Sequence, residues 1–194
     1  MYFLWNTISF DEILPITPVK LSSNLIVYNN SKDSPRISEI NSDYTKLEEL
    51  LSRKEFKAAD VETRITVSKS LHNLYNYEAY AKTFKNVSEH LELTPCHDML
   101  TIDFLWSSYS DAQFGLGIQS NLLSQIQWGE RTKYNLFSDL VGWRVNKQWL
   151  DYDSLTFSNK APPGHLPYSF TRGRPIKDFH QKVSECEKNL EKKQ

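Results

Sequence analysis

The sequence has 194 residues, of which 39% are hydrophobic and 13% are aromatic. That length allows one domain with a sizeable core and leaves room for an appended arm. Basic residues number 23 and acidic residues 24, so the net charge at pH 7 is −1. This balanced charge lacks the basic footprint of nucleic-acid-binding proteins, and we expect no nucleic-acid partner.

Neither a membrane span nor a targeting segment is predicted. No apolar run approaches the ~20 residues needed to cross a bilayer. The apolar start at residues 1–5 lacks a basic flank and is soon interrupted by Asp11 and Glu12, unlike a signal peptide. The two cysteines, Cys96 and Cys186, are too few for a disulfide framework, and a reducing compartment is the simplest interpretation.

The first half of the chain is predicted to be an irregular arm followed by helices. Residues 1–41 contain three prolines and a polar, turn-prone cluster, which favour irregular structure. Helical periodicity begins directly afterwards, and the main domain is expected to span residues 42–175. Apolar residues from Leu47 onwards predict the first helix. Ser52 and Glu55 have the spacing of a capping box, which predicts that a second helix begins there.

Further helices are predicted in the second half. The pair Thr94–Pro95 is typical of a helix start, because Thr can cap and Pro fits the first helical position. Residues 116–126 and 134–141 are predicted as helices that end near glycines. A tight turn and a small hairpin are expected within residues 143–157. Residues 176–194 form a charged C-terminal helix with one narrow apolar stripe. The predicted fold class is therefore mostly α with a small irregular or hairpin element.

Residues that could carry chemistry form no recognised catalytic set. The six glycines make no nucleotide-binding loop, and no second ligand pair accompanies Cys96 and His97 at metal spacing. His165 is the most suggestive histidine, but a hydrogen-bonded loop role is favoured over catalysis. Asp98 and Asp103 do not share a helix face well, so they are interpreted as solvated or capping groups. These patterns favour a binding protein over an enzyme and predict no metal ligands.

One region favours a bound ligand. Aromatic and aliphatic residues are dense between Phe104 and Phe170, and Arg172, Arg174 and Lys177 follow directly. An apolar cleft would bury a large flat ligand, while arginines would orient its carboxylates through forked hydrogen bonds. From composition alone, a plain helical core and a solvated turn are open alternatives.

Five residue strings between residues 42 and 175 form an ordered pattern. They are LEELL at 47–51 with FKAADVET at 56–63, PCHDM at 95–99 with ID at 102–103 and LW at 105–106, FGLGIQ at 114–119, VGWR at 141–144 with Trp149, and LTF at 155–157 with APPGHLP at 161–167. In order and spacing these strings resemble the genomes-uncoupled-four family, whose members bind tetrapyrroles and regulate magnesium chelatase.

The resemblance implies a compact helical domain shaped like a cupped hand, whose apolar concave face binds protoporphyrin IX or magnesium-protoporphyrin IX. It also implies that the protein stimulates magnesium chelatase in chlorophyll biosynthesis through the large porphyrin-binding subunit, without catalysis of its own. The porphyrin is then a bound ligand, and no catalytic cofactor is expected. The implied ligand-binding residues are Leu91, Tyr152, Leu155, Phe157, Arg172 and Arg174.

The chain departs from the family pattern in several places, including the Tyr- and Asn-rich loop between the second helix and Pro95. Tyr152 stands where a Trp is common, and the spacing of the two arginines is one residue shorter. An alternative is therefore an interaction module that docks on a chelatase subunit or a signalling partner with little or no porphyrin affinity. The resemblance implies a plastid or chloroplast location, with a cyanobacterial cytoplasm as the alternative, and it allows peripheral association with a membrane.

Overall fold

A computed structural model describes residues 42–75, 93–126, 130–172 and 176–191. The predicted arm at residues 1–41 lies outside these ranges, as do Leu91 and Arg174. The domain boundaries placed after residues 41 and 175 stay predictions.

The described part of the chain is built mainly from α-helices. In chain order the elements are α1 (Thr45–Ser52), α2 (Phe56–Tyr75), α3 (Cys96–Tyr109), α4 (Leu116–Ser124), α5 (Glu130–Leu140), β1 (Arg144–Val145), β2 (Gln148–Trp149), a 3₁₀ turn (Tyr152–Ser154) and α6 (Ile176–Glu191). The predicted class, mostly α with a small hairpin, is confirmed.

An aromatic core joins α2 to α3 and to the segment that leads into α4. The buried ring of Phe56 lies 6.1 Å from that of Trp106 and 5.3 Å from that of Phe114, measured between centroids. The indole N–H of Trp106 donates to the Thr63 hydroxyl at 3.0 Å. Burial of large rings with their polar atoms satisfied stabilises this contact.

The predicted capping box between α1 and α2 is wrong. Ser52 is the last residue of α1, and its hydroxyl donates to the Glu49 carbonyl at 2.7 Å. Lys54 then adopts a φ of 60°, and its N–H donates to the Leu51 carbonyl at 2.9 Å. A left-handed residue at this position ends a helix, because it turns the backbone back onto the last free carbonyls. Ser52 and Lys54 therefore end α1, and the predicted cap at the start of α2 does not form.

Asp103 links α3 to the start of α4. Its carboxylate accepts a hydrogen bond from the Gly117 N–H at 2.8 Å, in the first turn of α4. Burial raises the pKa of Asp103 above its usual value, and the hydrogen bonds from Gly117 and Leu116 oppose that rise. The interpretation of Asp103 as a capping group is confirmed. Asp98, by contrast, is buried and accepts from the Tyr44 hydroxyl at 2.9 Å, so a solvated role for it is wrong.

The predicted small hairpin follows α5. Arg144 pairs with Trp149 and Val145 pairs with Gln148 in antiparallel register. The two turn residues, Asn146 and Lys147, have φ values of 52° and 64°. Positive φ at both central residues is the geometry that matches the twist of a two-residue hairpin.

The C-terminal helix packs on the domain through its apolar stripe. Phe179, Val183 and Cys186 are buried, and α6 contacts α3, α4 and α5. The two cysteines, interpreted from sequence as belonging to a reducing compartment, are joined in a disulfide between Cys96 and Cys186. Sequence spacing gave no sign of this pairing, because it depends on how α6 returns to the start of α3.

The described residues contain neither a membrane-spanning helix nor a metal-binding cluster. None of the helices within these ranges has the length and apolar character required to cross a bilayer. Within the same ranges, histidine, cysteine and acidic side chains form no group of three or more that could hold a metal ion.

Candidate ligand-binding site

Asp60 of α2 organises the region where the sequence predicted the ligand. Its side chain is fully buried and accepts hydrogen bonds from the backbone N–H groups of Tyr168 at 2.5 Å and Ser169 at 3.0 Å. It also accepts from the Tyr152 hydroxyl at 2.9 Å. Burial raises the pKa of Asp60, and these hydrogen bonds oppose that rise. One carboxyl group thus holds the 3₁₀ turn and the segment at residues 168–169 against α2.

Three rings, Tyr152, Phe157 and Tyr168, form what we call the aromatic cluster. The ring centroid of Tyr152 lies 5.2 Å from that of Phe157 and 5.9 Å from that of Tyr168. Tyr152 and Phe157 are half-buried, whereas Tyr168 is buried and packs edge-to-face on Trp143 at 5.0 Å. The cluster therefore has a rigid buried base and two rings that are partly open to solvent.

Two cationic side chains lie beside the aromatic cluster. The Lys57 ammonium is 5.8 Å from the centroid of Tyr152 and 5.6 Å from that of Phe157. The guanidinium of Arg172 is 5.3 Å from the ring of Tyr168, and this side chain is exposed. Both distances suit cation–π contacts, which are worth about 0.5–1 kcal/mol at exposed sites. The cluster thus combines apolar ring surface with two cationic side chains, of which Lys57 is paired with the exposed Asp153 at 2.7 Å.

The hydroxyl of Tyr168 is buried and has no hydrogen-bond partner within the described ranges. Burial raises the pKa of this phenol, while the nearby Arg172 charge lowers it, so the hydroxyl stays protonated and able to donate. A buried donor without a partner costs about 1–3 kcal/mol. An acceptor supplied by a ligand would recover that free energy.

His165 connects the segments around the aromatic cluster through hydrogen bonds. Its Nδ1 lies 2.5 Å from the Val141 carbonyl, and its Nε2 accepts the Thr156 N–H at 3.2 Å. Its own carbonyl accepts from the indole N–H of Trp143 at 2.7 Å. A ring that donates through one nitrogen and accepts through the other must be neutral. The predicted hydrogen-bonded loop role of His165 is confirmed.

This geometry makes stability depend on pH. Burial lowers the pKa of His165 below its usual value, so the unfolded chain binds a proton at a higher pH than the folded chain does. The free energy of unfolding should therefore fall as the pH drops through about 6.5, and His165→Gln should flatten that slope. Urea unfolding between about pH 5 and pH 7 measures it.

His180 provides the matched control for this experiment. Its pKa is also lowered by burial and by Lys133 and Lys188, but its ring is more exposed than that of His165. His180→Gln should therefore remove a smaller part of the slope. Equal slopes in His165→Gln and the unmodified protein would contradict the neutral role of His165.

The structure brings together only part of the predicted ligand set. Tyr152 and Phe157 lie in contact, and Arg172 joins them through Tyr168. Leu155 is buried among the core residues. Leu91 and Arg174 lie outside the described residues.

Sequence reasoning missed three residues of this region, namely Lys57, Asp60 and Tyr168. The sequence contained a signal for Asp60. Asp60 directly follows the buried Ala59 and lies one turn after the buried Phe56, and an acidic residue on an apolar helix face calls for a specific partner.

The sequence model of the GUN4-like family matches residues 37–182. The chain belongs to the GUN4-like family. The resemblance to the genomes-uncoupled-four family that the ordered strings suggested is thereby confirmed.

Curated relatives of the family are similar over part of their length. The chain is 27% identical over 127 residues to the uncharacterized protein ycf53 of the alga Pyropia yezoensis, covering 64% of this chain and 49% of that protein. It is 29% identical over 127 residues to a Ycf53-like protein of Synechocystis, covering 64% and 50%. The chain thus spans about half the length of the curated relatives it matches.

Two solved structures share the fold. The structure of GUN4 from Chlamydomonas reinhardtii is 28% identical, with a TM-score of 0.55, over 77% of this chain and 92% of that one. The ligand-free structure of Arabidopsis thaliana GUN4 is 21% identical, with a TM-score of 0.54, over 72% and 93%. The similar proteins come from a green alga, a plant, red algae and a cyanobacterium, which is consistent with a plastid or cyanobacterial origin.

Proposed function

We propose that this protein binds protoporphyrin IX and magnesium-protoporphyrin IX at the aromatic cluster. The observation that carries the proposal is the placement of two cations at the aromatic cluster. Lys57 lies beside the partly exposed rings of Tyr152 and Phe157, and the exposed Arg172 lies beside the buried ring of Tyr168. A porphyrin is a wide aromatic plate with two carboxylates at one edge. Ring surfaces can stack on the plate, and the cations can bind the carboxylates. The unpartnered Tyr168 hydroxyl supplies one further donor.

The rigidity of the region supports this assignment. Asp60 and His165 hold the segments that carry Tyr152 and Phe157 through buried hydrogen bonds. A preformed site loses less conformational entropy when a ligand binds, so more of the contact energy appears as affinity.

Membership of the family supports a regulatory role. We propose that the porphyrin-bound protein stimulates magnesium chelatase in chlorophyll biosynthesis through the large porphyrin-binding subunit. The protein itself performs no catalysis in this proposal, and the porphyrin is cargo rather than a cofactor. Its proposed location is the plastid, with a cyanobacterial cytoplasm as the alternative. Peripheral association with a membrane stays a prediction.

A porphyrin titration tests the binding proposal. Protoporphyrin should quench the tryptophan fluorescence saturably at micromolar concentration. The Arg172→Ala, Arg174→Ala double variant should bind roughly tenfold more weakly or worse, because each charge-assisted hydrogen bond is worth about 1.5–3 kcal/mol. Lys57→Met should weaken binding in the same direction.

Arg53→Ala is the matched control. Arg53 is an exposed arginine that pairs with Glu49 on α1, so its removal should leave the affinity unchanged. Unchanged affinity in the double variant would remove the arginines from the site. Absence of quenching in the unmodified protein would refute porphyrin binding itself.

A second candidate function is a docking module for the large chelatase subunit with little porphyrin affinity. The hairpin favours it, because Trp149 is 41% exposed and Val145 is 48% exposed. The Trp149 ring stacks on Tyr134 at 5.3 Å, which presents a broad aromatic surface. Exposed aromatic residues on rigid elements are typical anchors of protein interfaces.

A pull-down with the large chelatase subunit separates the two functions. Trp149→Ser should reduce capture without porphyrin at least tenfold, since hot-spot residues contribute about 2 kcal/mol or more. Gln148→Ala on the same strand should leave capture unchanged. Capture that is equal in both variants would exclude the hairpin as the docking surface.

A further inference from the structure

The two cysteines of the sequence meet where α6 returns to the start of α3. Cys96 is the first residue of α3, and Cys186 lies on the buried face of α6. Their sequence separation is 90 residues, and their Cα atoms are 5.0 Å apart. The disulfide closes a long loop of chain, and such a cross-link restricts the unfolded chain more strongly as the loop lengthens. It therefore stabilises the fold in which α6 packs against α3.

The other described contacts of α6 are with α3, α4 and α5. Phe179 and Val183 are buried against the domain, and His180 Nδ1 lies 2.8 Å from the Ser120 hydroxyl of α4. The helix carries charged residues along its other faces. All of these contacts are noncovalent, so without the disulfide α6 can open locally at a lower cost in free energy.

Arg172 lies between two segments that are held to the domain, residues 168–169 and α6. On one side, Asp60 holds the backbone of Tyr168 and Ser169. On the other side, α6 begins only four positions after Arg172. A change in how firmly α6 is held therefore reaches the segment that carries this arginine.

The two cysteine residues differ in exposure. Cys186 is only 1% exposed, whereas Cys96 is partly exposed. Thiol–disulfide exchange begins with attack by a thiolate on a sulfur that it can reach. Cys96, as the more exposed cysteine, is therefore the one that a reductant attacks.

We propose that Cys96 and Cys186 form a thiol–disulfide exchange site for a dithiol reductant, and that the oxidation state of the pair sets how firmly α6 and the Arg172 segment are held. A thiolate of the reductant attacks Cys96 Sγ, the S–S bond breaks, and Cys186 leaves as a thiolate that takes up a proton. The second thiol of the reductant then displaces Cys96. The protein gains two electrons and two protons, and the reductant becomes a disulfide. The effect on ligand affinity rests on the proposed porphyrin function, but the exchange itself does not.

The experiment uses the full chain, oxidised in air or reduced with dithiothreitol. Alkylation and mass measurement should show no reactive thiol in the oxidised form and two in the reduced form. Hydrogen exchange within residues 176–191 should be at least tenfold faster after reduction, a larger change than in α2. The melting temperature should fall by roughly 10 °C, given the length of the closed loop.

The Cys96→Ser, Cys186→Ser double variant is the matched reference. It should exchange like the reduced protein and should not respond to dithiothreitol, which excludes a direct effect of the reagent. Two reactive thiols after oxidation, or unchanged exchange of α6 after reduction, would overturn the proposal.

Protoporphyrin titration of both forms tests the last step separately. The reduced form should bind several-fold more weakly. Equal affinity would overturn the link to Arg172. If neither form binds porphyrin, the proposed function fails, and the alkylation and hydrogen-exchange results still decide the exchange site.

Discussion

Replacement of Asp60 by alanine should lower the free energy of unfolding by about 3–5 kcal/mol, because it removes a buried acceptor from at least three donors. Those donors are the N–H groups of Tyr168 and Ser169 and the hydroxyl of Tyr152. The two N–H groups lose their acceptor in a buried or partly buried place, whereas the Tyr152 hydroxyl still lies 3.4 Å from the Lys57 carbonyl. Urea unfolding with two probes of structure measures the loss and checks that unfolding remains two-state.

Tyr152→Phe is the matched control for Asp60→Ala. It removes a single donor and keeps the ring, so it should cost about 1 kcal/mol. In the double variant the two losses should be less than additive, since both remove the same hydrogen bond. If Asp60→Ala costs no more than Tyr152→Phe, the two backbone hydrogen bonds to Asp60 contribute nothing to stability.

Gly115→Ala should also destabilise the protein, by about 2–4 kcal/mol, for two independent reasons. Gly115 has a φ of 139°, a conformation that side chains beyond glycine rarely adopt. An added Cβ would also lie 2.6 Å from Asp103 Oδ1, the group that caps α4. The substitution therefore strains the backbone and displaces the cap together.

Gly117 offers the comparison two positions further on. It lies inside α4, and an added Cβ would meet only the ends of the Asp103 and Glu187 side chains, at 3.0 and 3.2 Å. Alanine also favours the helix by about 1 kcal/mol over glycine, which offsets the crowding. Gly117→Ala should thus change stability by roughly 1 kcal/mol or less. Equal losses in the two variants would show that backbone strain at Gly115 is unimportant.

Local patterns in the sequence were sufficient to predict most of the helices and the hairpin. The helix after Pro95, the helices that end near Gly129 and Gly142, and the apolar stripe of α6 all depend on neighbours a few residues apart. The prediction of a capping box was wrong for a local reason. The left-handed conformation of Lys54 is uncommon for a residue with a side chain, and Ser52 was equally suited to end α1.

The candidate site was only partly predictable because its contacts are distant in sequence. Resemblance to a family pointed to Tyr152, Phe157 and Arg172, and these lie in or beside one cluster. Asp60 lies within one of the strings that resemble the family, but no neighbouring residue indicates that it accepts a hydrogen bond from Tyr168. The pairing of Cys96 with Cys186 was missed for the same reason.

The hydrogen bond between Asp60 and the Tyr168 N–H spans 108 positions of the chain. During synthesis, therefore, α2 leaves the ribosome long before the segment that completes its polar network. A nascent chain that ends before residue 168 carries Asp60 without its backbone donors, and ordered contacts this far apart form late because loop closure must come first. Ribosome-bound chains of increasing length should thus acquire the structured site in one late step, after Ser169 has emerged from the exit tunnel.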